Sequence, residues 1–289
     1  MNLFVFGLGY SALHLVRTRR DRFGKVAGTV RSGPKAEALR AEGVEALTFG
    51  PEGADPAIPA ALARADAVLV SIAPGEGGDP VLAAYGDAVA AARPAWIGYL
   101  STVGIYGDHG GAWVDEATPA RPVSRRSRER VAAEEAWAGF GRAHGLAVHI
   151  FRLAGIYGPG RNALVNLASG RAKRLVKPGQ VFNRIHVEDI ARTLEASMGR
   201  PRAGAIYNVT DDEPAPPQDV VAFAAGLAGV PAPPEQPFDT AELTPMARSF
   251  YGENKRVSNR LLHEELGVDL AYPTYREALR ALRAAGEGP

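Results

Sequence analysis

Short apolar runs separated by amphipathic stretches make up the first half of the chain. The runs span four to seven residues with little alternation, as expected of strands buried on both faces. They are Leu3–Phe6, Lys25–Val30, Val44–Thr48, Ala67–Ile72, Ala95–Leu100 and Ala147–Leu153. The stretches between them with helical spacing are Ser11–Arg22, Pro34–Glu42, Pro80–Arg93 and Ser124–His144. Strands that alternate with helices predict an α/β fold, a Rossmann-type doubly wound parallel sheet with right-handed crossovers.

The pattern changes after Leu153. Glycine, proline and basic residues dominate 155–179, and proline is dense in 214–237. The elements predicted in this half are helices at Val187–Met198, Gln218–Leu227 and Tyr275–Arg283, a strand at Ala205–Val209 and an amphipathic segment at Ser258–Leu266. We therefore predict a dinucleotide-binding core of residues 1–154, completed by about 183–210. Residues 155–182 and 211–289 would form a smaller C-terminal substrate lobe.

Composition removes several classes of function. The chain has 289 residues with 33 basic and 32 acidic side chains, so no net charge draws it to nucleic acid or to a membrane. It has no cysteine, which excludes disulfides, thiol nucleophiles and iron–sulfur clusters. The six histidines never occur at the spacing of metal ligands on one helix face, so we expect no metal. The first residues lack a signal-peptide pattern, and no apolar run approaches ~20 residues. A cytoplasmic protein is expected.

A glycine-rich turn directly follows the first predicted strand. Gly7-Leu8-Gly9-Tyr10-Ser11-Ala12 fits G-x-G-x-x-G/A between a strand and a helix. Gly7 would allow the turn, Gly9 would let the backbone approach a pyrophosphate, and Ala12 would let the helix pack on the sheet. The pattern predicts a dinucleotide site, the alternative being a structural turn that binds no ligand.

The end of the second predicted strand distinguishes the two nicotinamide dinucleotides. An acid there would bind the ribose 2′-hydroxyl, whereas an arginine suits a 2′-phosphate. The chain has Arg31 and Ser32 at this point and Lys35 soon after. This favours NADP over NAD, unless Arg31 is only a solvated surface charge. Ile72 and Ala73, at another strand end, complete the predicted cofactor site.

Two segments with nearly the same sequence, 101–107 and 153–161, follow later predicted strands. Together with the glycine turn they resemble the extended short-chain dehydrogenase/reductases, which include nucleotide-sugar epimerases and dehydratases. Further similar segments, in the same order along the chain, are Asp115–Pro119, Arg184–Ile190 and Tyr207–Val209. The resemblance implies hydride transfer between a nicotinamide and a sugar-like or carbonyl substrate. It places that substrate near Tyr157, Arg161 and His186.

The family's catalytic residues are only partly present. The reaction uses a tyrosine, a lysine four residues on, and a serine or threonine at the end of the fifth strand. Thr102 falls at this last position, with Ser101 beside it. Arg126 and Arg130 stand at the tyrosine and lysine positions. Arginine stays protonated, so Arg126 cannot replace a phenol in acid–base work, although Arg130 can hold a ribose or a negative charge. The pattern resembles atypical members of the superfamily.

Other residues offer partial substitutes. Tyr106 and Tyr157 are the phenols expected near the cofactor, although tyrosines at strand ends more often serve packing. Tyr251 and Lys255 have the literal Tyr-x-x-x-Lys spacing, but they follow proline-rich sequence, and we interpret the match as a coincidence. Asp87 resembles the acid that some atypical members carry in place of an asparagine, the alternative being a surface carboxylate.

Two groups of cations predict the character of the substrate. They are Arg121, Arg125, Arg126, Arg128 and Arg130, and then Arg161, Arg171, Lys173, Arg174 and Lys177. If both border one cleft, the substrate is anionic or nucleotide-linked; otherwise they form a solvated arginine-rich surface. Aromatic residues are not interleaved with them, so nucleic acid is not expected. Related proteins often dimerise through helices that correspond to 80–93 and 124–144, which makes a homodimer an expectation.

Two functions remain open at this point. The first is an NADP-dependent oxidoreductase, epimerase or dehydratase. The second is a catalytically inactive NADP-binding sensor whose occupancy a partner protein reads. The glycine turn supports both functions, while the arginines at positions 126 and 130 favour the second.

Overall fold

The alternating pattern of the sequence builds one large sheet. In the computed structural model, which describes residues 1–289 apart from the side chain of Met246, eight strands pair in the order β12-β8-β6-β5-β1-β2-β3-β4. The strands are β1 (Leu3–Phe6), β2 (Val26–Val30), β3 (Glu45–Gly50), β4 (Gly53–Ala54), β5 (Ala67–Val70), β6 (Trp96–Thr102), β7 (Trp113–Val114), β8 (Val148–Leu153), β9 (Gly155–Tyr157), β10 (Arg174–Val176), β11 (Arg184–His186), β12 (Ala205–Val209), β13 (Glu235–Pro237) and β14 (Arg256–Val257).

Strand pairing confirms the predicted fold class. β1 lies between β2 and β5 in parallel, β5 also pairs in parallel with β6, and the short β4 is antiparallel to its neighbour β3. The helices that cover the strands are α1 (Tyr10–Thr18), α2 (Gly33–Ala41), α3 (Ile58–Leu62), α4 (Pro80–Ala92), α5 (Arg125–His144), α6 (Ala163–Ala168), α7 (Val187–Met198), α8 (Pro217–Ala228), α9 (Pro245–Phe250), α10 (Arg260–Glu264) and α11 (Tyr275–Ala284), with 3-10 turns at Arg20–Arg22, Val103–Tyr106 and Phe238–Thr240.

Local sequence explains where individual helices begin and end. Asp79 caps α4 by accepting hydrogen bonds from the amides of Val81 and Leu82, at 2.9 and 3.0 Å. Pro80 occupies the first turn, where its missing N–H costs nothing. The same helix ends at Arg93, whose φ of +47° lies in the left-handed region. α11 opens with a capping box formed by Thr274 and Glu277.

The first compact unit comprises residues 1–102, 125–152 and 190–207. Its core forms where apolar strand residues meet the helices, and fully buried Phe6, Val70, Ile97 and Trp137 belong to it. Because β1, β5 and β6 are parallel neighbours, their carboxyl ends share one edge. That edge is where ligands bind in open α/β sheets.

The second unit comprises residues 103–124, 153–189 and 208–289. Short parallel pairs join β9 to β11, β10 to β13 and β7 to β14. A separate apolar cluster packs α6, α8 and α11 together and includes Leu164, Ala224 and Leu279. Residues 103–124 belong to this unit by their contacts, whereas the division into nucleotide and substrate domains is a functional statement and stays a prediction. Within the described residues, no helix is long and apolar enough to cross a membrane.

Candidate functional site

The glycine turn after β1 has a conformation that only glycine adopts easily. Gly7 has a φ of +92°, and a Cβ built there would lie 2.9 Å from Cγ1 of Ile72. The Gly7 amide donates to Oγ1 of Thr29 at 3.0 Å, and the Leu8 amide donates to the Thr29 carbonyl at 2.8 Å. The turn is therefore fastened to β2 on one side and closed by Ile72 on the other.

Open space lies in front of the first helix. Gly9 occupies the N-cap position of α1, and none of the described side chains caps that end. A Cβ built on Gly9 would meet only the carbonyl oxygen of Gly7, at 3.9 Å. Ala12, one turn on, is fully buried. The absence of a side-chain cap, the positive end of the helix dipole and the open approach fit a dinucleotide pyrophosphate.

Two cations stand beside this turn. Nζ of Lys35 donates to the carbonyl oxygen of Leu8 at 2.7 Å, which joins the lysine to the glycine turn itself. Arg31 is exposed at the end of β2, and its aliphatic carbons pack near Gly50. Ser32 is the exposed N-cap residue of α2. Ala73 is also exposed, at the neighbouring strand end. This corner of the first unit can receive a phosphate group.

Ser101 belongs to a buried ionic network. Its hydroxyl donates to the carboxylate of Glu134 on α5, and Arg152 on β8 pairs with the same carboxylate at 2.9 Å. All three side chains are buried. Thr102, one residue further, is partly exposed at the edge of the sheet. Of the two hydroxyls predicted for catalysis, Ser101 is thus committed to packing α5 against the sheet, and Thr102 stands where a ligand could reach it.

Arg130 is bound to the strand that ends at Thr102. Its Nη1 donates to the carbonyl oxygen of Leu100 at 2.6 Å and to the hydroxyl of Tyr99 at 3.0 Å. Tyr99 is fully buried, and burial raises its pKa to about 12. Arg126 lies one turn earlier on α5 and is exposed. Arg130, which was predicted at the family's lysine position, therefore supports the end of β6, and Arg126, predicted at the tyrosine position, is exposed to solvent.

The second unit encloses Tyr106 completely. Its hydroxyl donates to Oδ1 of Asn208 at 2.8 Å, and Asn208 in turn donates to the carbonyl of Ser258 at 3.0 Å. The amide of Asn208 also donates to the Glu116 carboxylate at 2.8 Å. These bonds make Tyr106 a connector between segments of the second unit.

Tyr157 and His186 are brought together as ring neighbours. They sit opposite each other on β9 and β11, with centroids 5.3 Å apart and nearly perpendicular rings. The Tyr157 hydroxyl is buried without a hydrogen-bond partner among the described residues. Burial, with the charges of Asp211 and Asp189, raises the pKa of this phenol far above its ordinary value. Arg161 is exposed four residues on, at the end of a tight turn.

Three cations of the second group contact other groups of the second unit. Lys173 donates to the carbonyl of Glu242 at 3.3 Å, and Lys177 donates to the carbonyl of Tyr251. Arg174 pairs with Glu235 at 2.7 Å. These bonds fasten the segment 235–251 to β10. Their charge is partly used inside the second unit.

Two further candidates of the sequence analysis remain, Asp87 and the pair Tyr251 and Lys255. Asp87 is exposed on α4 in a groove of about 460 Å³ that Phe140 and His144 also line. Lys255 is buried against Glu253, at 2.6 Å, in a non-helical turn that also contains Tyr251. In the part of the chain that the structure describes, no three His, Asp or Glu side chains are grouped to hold a metal.

Tyr99, Glu134 and Arg152 were not predicted as site residues. Tyr99 lies inside an apolar run, so its sequence position indicated only a buried strand residue and no role for its hydroxyl. Glu134 and Arg152 are 18 positions apart, so their pairing depends on the packing of α5 against the sheet.

The family model "NAD dependent epimerase/dehydratase family" matches residues 86–210, a region that begins beyond the glycine turn. A protein of unknown function from Silicibacter pomeroyi is 53% identical, with 99% of each chain covered and a TM-score of 0.91. Protein YeeZ of Escherichia coli K12 is 29% identical over 93% of this chain and 95% of its own.

A structure described as an NAD-dependent epimerase/dehydratase, from Methylobacillus flagellatus, is 25% identical. It covers 98% of each chain with a TM-score of 0.71. The likeness to it therefore extends over the glycine turn as well as the region of the family match. Residues 86–210 thus match the NAD-dependent epimerase/dehydratase family, and the whole chain is similar to a structure of that description.

Proposed function

We propose that the protein is an NADP-dependent oxidoreductase, epimerase or dehydratase that acts on a sugar-like or carbonyl substrate. One observation carries the proposal: the glycine turn presents an uncapped helix end with open space at Gly9. A purely structural turn has no need of that space, whereas a pyrophosphate must come this close to the backbone.

The cations beside the turn support NADP over NAD. Lys35 is already held against the turn through the Leu8 carbonyl. Arg31 is exposed at the strand end where the ribose 2′-position of a bound dinucleotide would lie. Its guanidinium can form a bidentate contact with a 2′-phosphate, and it gains nothing comparable from a 2′-hydroxyl.

The bound cofactor would supply or accept a hydride at its nicotinamide ring. On the protein side, the Thr102 hydroxyl would donate a hydrogen bond to the reacting oxygen, since it is the partly exposed hydroxyl at the end of β6. Arg130 would keep Thr102 in place through its bond to the Leu100 carbonyl. Water would exchange the proton of the reacting oxygen, because Arg126 stays protonated and cannot accept it.

Tyr157, Arg161 and His186 are proposed to contact the substrate. The exposed guanidinium of Arg161 suits an anionic or nucleotide-linked molecule. A cytoplasmic location and a homodimer belong to the same proposal, and nucleic acid and membranes do not.

A catalytically inactive NADP-binding sensor is the second candidate. The burial of the phenols favours it, because a proton donor must reach the substrate. Tyr106 and Tyr99 are fully buried, and the Tyr157 hydroxyl is enclosed. A protein that binds NADP without moving a proton needs the glycine turn and nothing at positions 126 and 130 beyond charge.

A fluorescence titration with NADPH and with NADH tests the shared part of both functions. NADPH should bind at micromolar concentrations, and Arg31→Ala should weaken it by about tenfold or more, as expected for a lost charge-assisted phosphate contact. Arg142→Ala, an exposed arginine of α5 in the same unit, is the matched control and should change nothing. If neither nucleotide binds, both functions are excluded.

A second assay separates enzyme from sensor. The NADPH-loaded protein is mixed with a panel of sugar and ketone substrates, and oxidation of the nicotinamide is followed by absorbance. Turnover that is lost in Thr102→Val identifies the enzyme. Tight NADPH binding without turnover on any of them supports the sensor.

A further inference from the structure

The tight turn after Tyr157 carries polar groups that point away from the turn's own hydrogen bonds. Gly158 and Arg161 exchange two backbone hydrogen bonds of 3.0 Å each, which closes the turn. The amide of Gly160, whose φ is +71°, donates to the Glu287 carboxylate outside the turn. Asn162 follows, and its Oδ1 caps α6 by accepting from the amides of Leu164 and Val165, at 2.9 and 3.2 Å. Nδ2 of Asn162 also donates to the Gly158 carbonyl at 2.9 Å, which ties the turn further. The Gly160 amide and the second N–H of Asn162 Nδ2 donate outside the turn.

A carboxylate of this chain already occupies those donors. Oε1 of Glu287 accepts from the Gly160 amide at 2.8 Å, and Oε2 accepts from Nδ2 of Asn162 at 2.5 Å. One donor therefore serves each oxygen, a two-point recognition of a planar anion. Both donors are neutral, so the interaction gains from hydrogen bonding without an ion pair. The geometry is that of an anion site with an internal occupant.

The side chain of Glu287 can leave the turn while its backbone stays in place. The residue follows the end of α11 and has glycines on either side, Gly286 with φ +91° and Gly288 with φ +97°. Glu287 itself is partly exposed. Its backbone is tied to the helix by the Leu282 carbonyl, at 3.1 Å, so the side chain can swing away while the helix stays packed.

We propose that Gly160 and Asn162 form a binding site for the carboxylate or phosphate group of a small molecule, and that Glu287 is its built-in competitor. An entering anion would take the two donors, and the exposed residue Arg161 follows Gly160 directly in the chain. Glu287 would then turn to solvent. The anion site stands on these contacts alone; its assignment to the substrate that Tyr157 and His186 would contact rests on the proposed function.

Competition of this kind predicts weak binding to the wild-type protein. A tethered carboxylate acts at an effective concentration of about millimolar or more, so a free anion must exceed that to displace it. Removing the tethered group should therefore reveal the intrinsic affinity of the turn. A purely structural contact would instead leave nothing for a free anion to bind.

The test uses Glu287→Ala in the full chain, with Glu242→Ala as the control, since Glu242 is an exposed glutamate of the same unit. Two probes, sodium glucuronate and inorganic phosphate, are titrated at constant ionic strength. The ¹H–¹⁵N signals of the Gly160 amide and the Asn162 side chain are followed. We expect these signals in Glu287→Ala to titrate at about tenfold lower probe concentration than in the wild type. Glu242→Ala should match the wild type.

The outcomes are distinct. A preference for glucuronate or for phosphate identifies which of the two anions the site takes. If the Gly160 and Asn162 signals of Glu287→Ala respond to neither probe, the site does not exist and Glu287 is only a structural tie. Glu287→Asp serves if the alanine variant does not fold, because it keeps the charge but shortens the reach, and it should shift the response in the same direction. The NADPH titration does not involve this turn, so it succeeds or fails independently.

Discussion

At the scale of single residues, an arginine and a lysine at position 130 have different consequences. Lysine is a compact charge on a flexible stem, whereas arginine carries a planar fork of donors. Arg130 uses that fork on Tyr99 and on the Leu100 carbonyl, two groups of the strand that ends at Thr102. Arg130 is therefore a fixed support of the strand end rather than a mobile cation.

The buried surroundings of His149 keep its side chain neutral. Its Nε2 accepts a hydrogen bond from the Arg202 amide at 2.8 Å, so that nitrogen carries no proton. Its Nδ1 lies 2.7 Å from Oγ of Ser197, which also accepts from the Trp96 indole at 2.9 Å. Burial, with the charge of Arg202, lowers the pKa of this histidine from 6.5 to about 4. The folded protein therefore holds a neutral imidazole.

The protein should consequently lose stability as the pH falls from about 6.5 to about 4. In this window the unfolded chain binds a proton at His149 and the folded chain does not, so the unfolded state gains. Above it the residue is neutral in both states, and below it the loss is complete, at about 3 kcal/mol. Urea unfolding at several pH values should show this slope in the wild type. In His149→Gln the loss of stability over this pH window should be smaller by about 3 kcal/mol, and an equal loss would contradict the assignment.

At the scale of elements, one carboxylate connects α5 to two strands. Glu134 projects from the helix. Its carboxylate accepts a hydrogen bond from the Ser101 hydroxyl of β6 and forms a salt bridge with Arg152 of β8. Such a buried pair gains little over apolar packing, but breaking it leaves a charge in the interior. The network therefore fixes the position of the helix that carries Arg126 and Arg130.

Glu134→Gln should lower the free energy of unfolding by about 3 kcal/mol, because Arg152 would remain buried with its countercharge removed. Glu135→Gln, the exposed neighbour on the same helix, is the control and should change stability by less than about 0.5 kcal/mol. Urea unfolding measures both. Adding Arg152→Met to Glu134→Gln should recover part of the loss, and a further loss of similar size would show that the two charges do not act as a pair.

Sequence reasoning found the elements more easily than the site, for a physical reason. The strands could be predicted because each apolar run is local and buried on both faces, and the first run coincides with β1. The first helix was predicted to extend to Arg22, but it ends at Thr18 and a 3-10 turn follows. The spacing of apolar residues alone does not show at which residue α-helical hydrogen bonds change to the tighter 3-10 pattern. The short α3 carried too few residues to establish a period.

At the scale of the whole molecule, pairs distant in sequence were beyond prediction. The Tyr106 hydroxyl finds Asn208 across 102 positions, and Gly160 finds Glu287 across 127. Only the packing of the second unit brings such groups together. The glycine turn was predictable because all its parts lie within six consecutive residues, Gly7 to Ala12. Local motifs therefore predict the cofactor site, and long-range packing decides which of the remaining candidates are accessible.

Binding of NADPH should be visible as a change in the stability of the whole protein. A ligand that binds only the folded state at about 100 times its Kd adds about 2.7 kcal/mol, which raises Tm. Gly9→Ala should keep the Tm of the free protein, because its Cβ would meet only the Gly7 carbonyl at 3.9 Å. The same methyl group would stand where the pyrophosphate must approach, so the NADPH-induced rise in Tm should be largely lost.

Gly7→Ala is the matched comparison, since it adds the same methyl group two residues earlier. At a φ of +92° and 2.9 Å from Ile72, that group strains the turn itself. The free protein should therefore lose about 1–2 kcal/mol of stability before any ligand is added. Differential scanning calorimetry with and without NADPH separates the two effects. If Gly9→Ala gains as much stability from NADPH as the wild type does, the dinucleotide does not approach the backbone at Gly9, and the nucleotide site lies elsewhere.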